Sequence, residues 1–145
     1  MKATHLNAIA AIEEVSFSTP WSDETLAGEL ADSNVVGFVA ITDMPPAVIG
    51  YTFMRRSFEE GHIENIAVLP LYRGLGVASA LMDALFEWAT AHGLESIILE
   101  VRQGNRAAMA LYHKFGFKIE SYRRNYYTNP TEDAILMRKI LHERQ

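Results

Sequence analysis

The chain has 145 residues, 49% hydrophobic and 21% charged, with a formal net charge of −5 and no cysteine. That length fits one domain able to bury roughly two-thirds of its unfolded surface, and no apolar run approaches the ~20 residues of a membrane-spanning helix. Without cysteine, disulfides, thiolate nucleophiles and thiolate metal sites are excluded; the acidic balance argues against direct nucleic-acid binding, which needs cationic side chains on phosphates.

The N-terminal stretch meets Glu13 and Glu14 early and carries no cleavage signature, so no secretory signal is expected and the location is read as cytoplasmic. Five histidines, His5, His62, His92, His113 and His142, lack the close spacing of a helical zinc site, and no metal is expected. No repeat, low-complexity segment or long linker interrupts the chain, which reads as one domain over residues 1–145.

Residues 7–17 place Ile9, Ile12 and Val15 at helical spacing. A second helix starts after Ser22, whose hydroxyl suits an N-cap, with Asp23 and Glu24 favourably placed on the helix dipole. Residues 35–42 and 47–56 are rich in strand formers and are joined through Asp43-Met44-Pro45-Pro46 as a hairpin. Residues 62–70 form a third strand that Pro70 helps to end. From about Gly74 to His92 the period turns helical, with Ala78, Leu81, Met82, Leu85 and Ala89 on one face and Gly93 as the stop. A buried-type strand over 95–101 precedes a helix that Asn105 can cap and Gly116 ends. Two closing strands, 117–127 and 132–140, complete a pattern that predicts an α/β (α+β) fold, a mixed sheet with helices on its faces.

The segment "VLPLYRGLGVASALM" sets a strand, a tight turn and a helix in direct succession. Gly74 and Gly76 remove side chains where the backbone turns, leaving a helix N-terminus whose free amides suit an anion such as a pyrophosphate, with Arg73 adding positive charge. A dinucleotide fingerprint fails because Ser79 stands at the third glycine position, and a Walker loop fails for lack of Gly-Lys-Ser/Thr.

Arg73, Gly74, Leu75, Gly76, Val77 and Ala78 match the Arg/Gln-x-x-Gly-x-Gly/Ala pattern of the GNAT superfamily of acetyl-CoA-dependent N-acetyltransferases. "NIAV", "LEVR", "LYxxxGF", "RRNYY" and "EDAILM", with "FSTPWS" near the N-terminus, resemble the ribosomal-protein alanine N-acetyltransferases of the RimI type over nearly the whole chain. The resemblance implies a central mixed sheet of about seven strands flanked by about four helices. It also implies that acetyl-CoA lies along Ile66, Ala67 and Val68 and on the 73–78 turn, with Asn105 near its arm. One departure is "VRQGN", where relatives commonly have serine at Gly104.

Transfer of acetyl to an amine needs the amine neutral and the departing thiolate protonated or stabilised. An α-amine of pKa near 7.7–8.0 is neutral in roughly one molecule in seven at pH 7, against less than about one in a thousand for lysine. Glu100 interrupts Ile97, Ile98, Leu99 and Val101, and burial would raise its carboxyl towards the working pH of a base acting through water. Pairing with Arg102 or Arg106, or a solvated strand end, is the alternative. The resemblance carries the base role onto Glu100 and the acid role onto Tyr112, which otherwise reads as core packing. His62 and Glu64, alternating on one strand face, compete for the base role or contact substrate.

The resemblance further assigns substrate contacts to Pro20, Trp21, Tyr126 and Tyr127. The acceptor it implies is a protein N-terminal peptide, most specifically the N-terminal alanine of ribosomal protein S18, a basic partner that acidic charge would steer. A small-amine or antibiotic acetyltransferase and a non-catalytic acetyl-CoA-binding module are the other readings. The expected assembly is a monomer or weak dimer, without membrane or nucleic-acid contact.

Overall fold

The computed structural model describes residues 1–141; His142 lies outside the described residues. Four helices, α1 (Leu6–Ser16), α2 (Asp23–Ala31), α3 (Val77–Ala91) and α4 (Arg106–Lys114), surround six strands: β1 (Val35–Ile41), β2 (Val48–Ser57), β3 (Glu60–Val68), β4 (Ser96–Arg102), β5 (Lys118–Tyr127) and β6 (Glu132–Ile140). The six strands picked out by local sequence pattern are the six found; the seventh implied by family resemblance has no counterpart among the described residues, where every alternating apolar run is already used. None of the described helices is long and apolar enough to cross a membrane.

Local signals act as read. Ser22 accepts from the Thr25 amide at 3.1 Å and Asn105 from the Ala108 amide at 3.1 Å, each satisfying a helix-start donor. Gly76 caps α3 at φ 83° and Gly74 turns at φ 77°, so the helix begins at Val77 rather than within the glycine turn. On α1, however, Val15 is 59% exposed while Glu13 is 1% exposed beside Ile9 and Ile12. The inward stripe runs 9, 12, 13, centred near Ile9; at about 3.6 residues per turn residue 15 lies about 120° round the helix from Ile9 and falls off it.

The sheet order is β1-β2-β3-β4-β6-β5, antiparallel except between β3 and β4. One face carries α3 and α4, with Met82, Leu85 and Ala89 packed on Ile63, Leu99, Val101, Ile135 and Met137. Ile9, Ile12 and Leu26 of α1 and α2 cover Tyr51 and Phe53 on the other. Gly50 lets α3 approach β2 closely, since a Cβ there would lie 3.2 Å from Val77 Cγ1 and 3.1 Å from the Ala67 carbonyl oxygen.

The parallel β3–β4 pairing lasts only from Glu60↔Ser96 to Ile63↔Leu99. Beyond it, β3 stays with β2 as far as Gly50↔Val68, and β4 stays with β6 as far as Arg102↔Ala134. Between Asn65, opposite Phe53, and Ile63, opposite Met54, Glu64 is an extra residue, a bulge that turns β3 away from β4. The sheet therefore opens into two halves from Glu64 and Glu100 onward.

Candidate active site

The opening between β3 and β4 is the floor of a cleft of about 640 Å³. His62, Glu64 and Ile66 of β3 line one side and Leu99, Glu100 and Arg102 of β4 the other; Asn105 and Tyr112 come from the start and body of α4, Trp21 from the α1–α2 connection, and Tyr126 and Tyr127 from the end of β5. These sequence-predicted residues are thus brought together. Pro20, Ala67, Val68 and the turn Arg73, Gly74, Leu75, Gly76, Val77 and Ala78 are not part of the cleft lining. The turn follows the cleft along the chain: β3 ends at Val68, whose carbonyl accepts from Arg73 Nε at 3.1 Å, and α3 begins at Val77. Open space lies where a Cβ would stand on Gly74 and Gly76, so positive φ rather than crowding is what calls for glycine there, and the first amides of α3 lack an intrahelical partner.

Glu100 points into the cleft with its side chain only 9% exposed, and its Oε2 lies 2.5 Å from His62 Nε2; Arg123 Nη1 stands 3.9 Å from Oε1. Burial pushes this carboxyl up, but the hydrogen bond and charge of His62, with Arg123, outweigh it and hold the group below its ordinary 4.5. The expectation of a carboxyl raised towards neutral pH is therefore corrected: burial came with partners. Neither arginine expected as a partner takes that place. Arg102 instead bonds Glu132 at 3.4 Å and the carbonyls of Thr128 and Pro130 at 2.8 and 3.0 Å, with its guanidinium 4.5 Å over the Tyr127 ring. His62 moves the other way, raised above 6.5 by the Glu100 hydrogen bond against its burial, with help from the charges of Glu100, Glu64 and Glu60.

Glu64 is bound to Arg55 Nε at 2.6 Å, in a cluster where Arg55 also holds Glu29 at 2.9 Å and Asp32 at 2.7 Å. Tyr112 packs edge-on to Phe117 at 5.9 Å, and burial alone pushes its phenol up to about 12. Tyr126 and Tyr127 meet edge to face at 5.0 Å, and burial raises the Tyr127 phenol, followed by the charge of Glu100. Among the described residues no group of three or more histidines, aspartates and glutamates converges as a metal site.

Sequence reasoning missed Glu13. Its carboxylate is buried in the cleft wall and accepts from the Tyr51 hydroxyl, from Asn65 Nδ2 at 2.5 Å and from the Trp21 amide at 3.2 Å. It thereby ties the α1–α2 connection to β2 and β3, and Trp21 also packs 6.1 Å from Phe53. The available signal was the four-residue step from Ile9, which puts a charge on the apolar face of α1. Gly104, the departure from relatives, donates its amide to Glu132 Oε2 at 2.6 Å, and a Cβ there would require the end of the Glu132 side chain to shift.

The model of the acetyltransferase (GNAT) family matches residues 6–117. The ribosomal protein bS18-alanine N-acetyltransferase of Escherichia coli K12 is 34% identical over 139 residues, covering 94% of this chain and 92% of the relative. Among solved structures, the ribosomal-protein-S18-alanine N-acetyltransferase from Escherichia coli superposes with a TM-score of 0.90 at 31% identity, covering 100% of this chain and 93% of the other. Ard1 from Thermoplasma volcanium follows at TM-score 0.85 and 27% identity, covering 99% and 95%.

Proposed function

The chain belongs to the GNAT acetyltransferase family, and from that premise we propose that it moves acetyl from acetyl-CoA to the N-terminal α-amine of a protein. The observation that carries this is the split between β3 and β4, where the Glu100–His62 pair and Tyr112 face one cleft. The acceptor we propose is the N-terminal alanine of ribosomal protein S18, the substrate in the names of the relatives. A cleft walled by Trp21, Tyr126 and Tyr127 offers flat rings and hydroxyls to the first residues of an extended chain, and we propose that Pro20, next to Trp21 in the chain, joins that wall when the peptide binds.

In this reading the donor's pantetheine arm lies along Ile66, Ala67 and Val68 with Asn105 beside it, and its pyrophosphate on the turn Arg73, Gly74, Leu75, Gly76, Val77 and Ala78. Glu100 with His62 forms the base side of the cleft, reached by the amine directly or through a water, while Tyr112 stands on the thiol side. Glu64, held by Arg55, shapes the wall and adds negative potential that attracts an ammonium.

Acetyl-CoA offered with an Ala-Arg N-terminal peptide, an N-blocked lysine peptide, a polyamine and an aminoglycoside tests the reading. Thiol release is expected with the free N-terminus alone. Release chiefly with the polyamine or the drug would move the enzyme to small amines, and release with none would leave a binding module. Glu100→Gln is expected to lower kcat by ~10²-fold or more on the peptide, with acetyl-CoA binding retained.

A further inference from the structure

We propose that His62 Nδ1 is the atom that accepts the proton of the attacking amine, and that Glu100 is a positioning residue which holds the imidazole for that task; this rests on the acyl-transfer reading above. An ionised carboxylate has no proton to give, so the 2.5 Å contact requires Nε2–H donating to Glu100 Oε2. In the neutral ring the lone pair then sits on Nδ1. Among the described residues the ring is hydrogen-bonded through Nε2 only.

Access divides the two groups in the same sense. The His62 side chain is 36% exposed in the cleft and that of Glu100 9%, and a base must meet its proton directly or through one water. Proton affinity agrees. His62 lies above 6.5 and Glu100 below 4.5, so an α-ammonium near 7.7–8.0 would find the carboxylate a weaker base than its own amine by more than about 10³-fold, and the imidazole by far less.

The charges around the ring fit a cation that forms and dissipates. Glu60 and Glu64 on β3 and Glu100 on β4 favour the imidazolium. The nearby cations are occupied elsewhere: Arg55 of β2 by Glu29, Asp32 and Glu64, and Arg138 of β6 by Glu60 and Glu120, while Arg123 of β5 faces the far oxygen of Glu100. In the step itself, one ammonium proton passes to Nδ1. The neutral nitrogen bonds to the thioester carbon and the C–S bond breaks. The thiolate, met by the Tyr112 hydroxyl, takes up the second nitrogen proton, and the imidazolium returns its own to water.

His62→Ala tests this through kcat on the N-terminal peptide. The expected result is a fall of about 10²-fold with KM for acetyl-CoA unchanged, and partial recovery on adding imidazole, which no merely structural role of His62 would produce. Activity within about threefold of wild type would overturn the proposal. Nitrogen-15 spectra of the imidazole ring give a reading independent of any substrate, so that failure of the peptide assay is distinguishable from failure of the pair. A proton on Nε2 and a titration midpoint above 6.5 that falls in Glu100→Gln are expected; a proton on Nδ1, or a midpoint indifferent to Glu100→Gln, overturns the assignment.

Discussion

In the proposed transfer the Tyr112 phenol, pushed up to about 12, would meet a departing thiolate whose conjugate acid, on the cysteine scale, lies near 8.5, so full proton transfer to sulfur would be uphill by roughly 5 kcal/mol. The hydroxyl therefore acts as a hydrogen-bond donor to developing negative charge more than as a proton source. Tyr112→Phe keeps the ring against Phe117 and should leave stability within about 1 kcal/mol, while kcat falls by ~10²-fold, the cost of one lost donor. The wild-type rate should also show no loss from Tyr112 ionisation below about pH 11, and a Tyr112→Phe enzyme of full activity would remove the hydroxyl from the mechanism. Glu100 carries the corresponding lesson. Its place in an apolar strand marked it as a functional carboxylate, yet its charge state was set by His62, 38 residues away in sequence.

Among the elements, the junction of α2 with β2 and β3 holds three carboxylates around Arg55. Glu29 is pushed up to about 7, first by burial and then by its hydrogen bond with Glu64, against the pull of Arg55. Its Oε2 is buried without a hydrogen-bond partner, and a proton on Glu29 relieves that conflict by turning an unsatisfied acceptor into a donor. Because the folded value exceeds the ordinary 4.5, folding favours the protonated acid. That stability is fully present below 4.5 and is lost as pH rises through 7. Glu29→Gln, which donates without titrating, should therefore be more stable than wild type at pH 8.5 by about 2 kcal/mol and gain much less at pH 5. Urea unfolding at the two pH values reads the difference; parallel curves would show that Arg55 keeps Glu29 ionised throughout. The α1 helix teaches the same point in apolar terms. Its period identified a buried face, but choosing between Val15 and Glu13 required the Tyr51 and Asn65 groups that receive the carboxylate.

Across the whole molecule, the backbone pairing that joins the two halves of the sheet among the described residues is the four-residue register between β3 and β4. A donor seated in the split touches both halves, so acetyl-CoA should stabilise the fold as a unit. At a concentration a hundredfold above Kd the gain is about 2.7 kcal/mol, and a chain of this size should melt roughly 6–10 °C higher. A melting temperature unmoved by saturating acetyl-CoA would count against a donor site there. Local chemistry made much of this architecture legible in advance: strand runs by alternation, helices by their period and caps, and the tight turn before α3 by Gly74 and Gly76. Those signals arise within a few residues, and the sequence by itself determined them, together with the residue types that line the cleft. Only the tertiary structure decided the ionisation of Glu100, the inward turn of Glu13, the engagement of Arg102 with the β5–β6 connection and the opening of the sheet at Glu64. Each depends on a partner distant in sequence or on the register of a neighbouring strand, and the free energy of a buried charge is set by the groups that surround it.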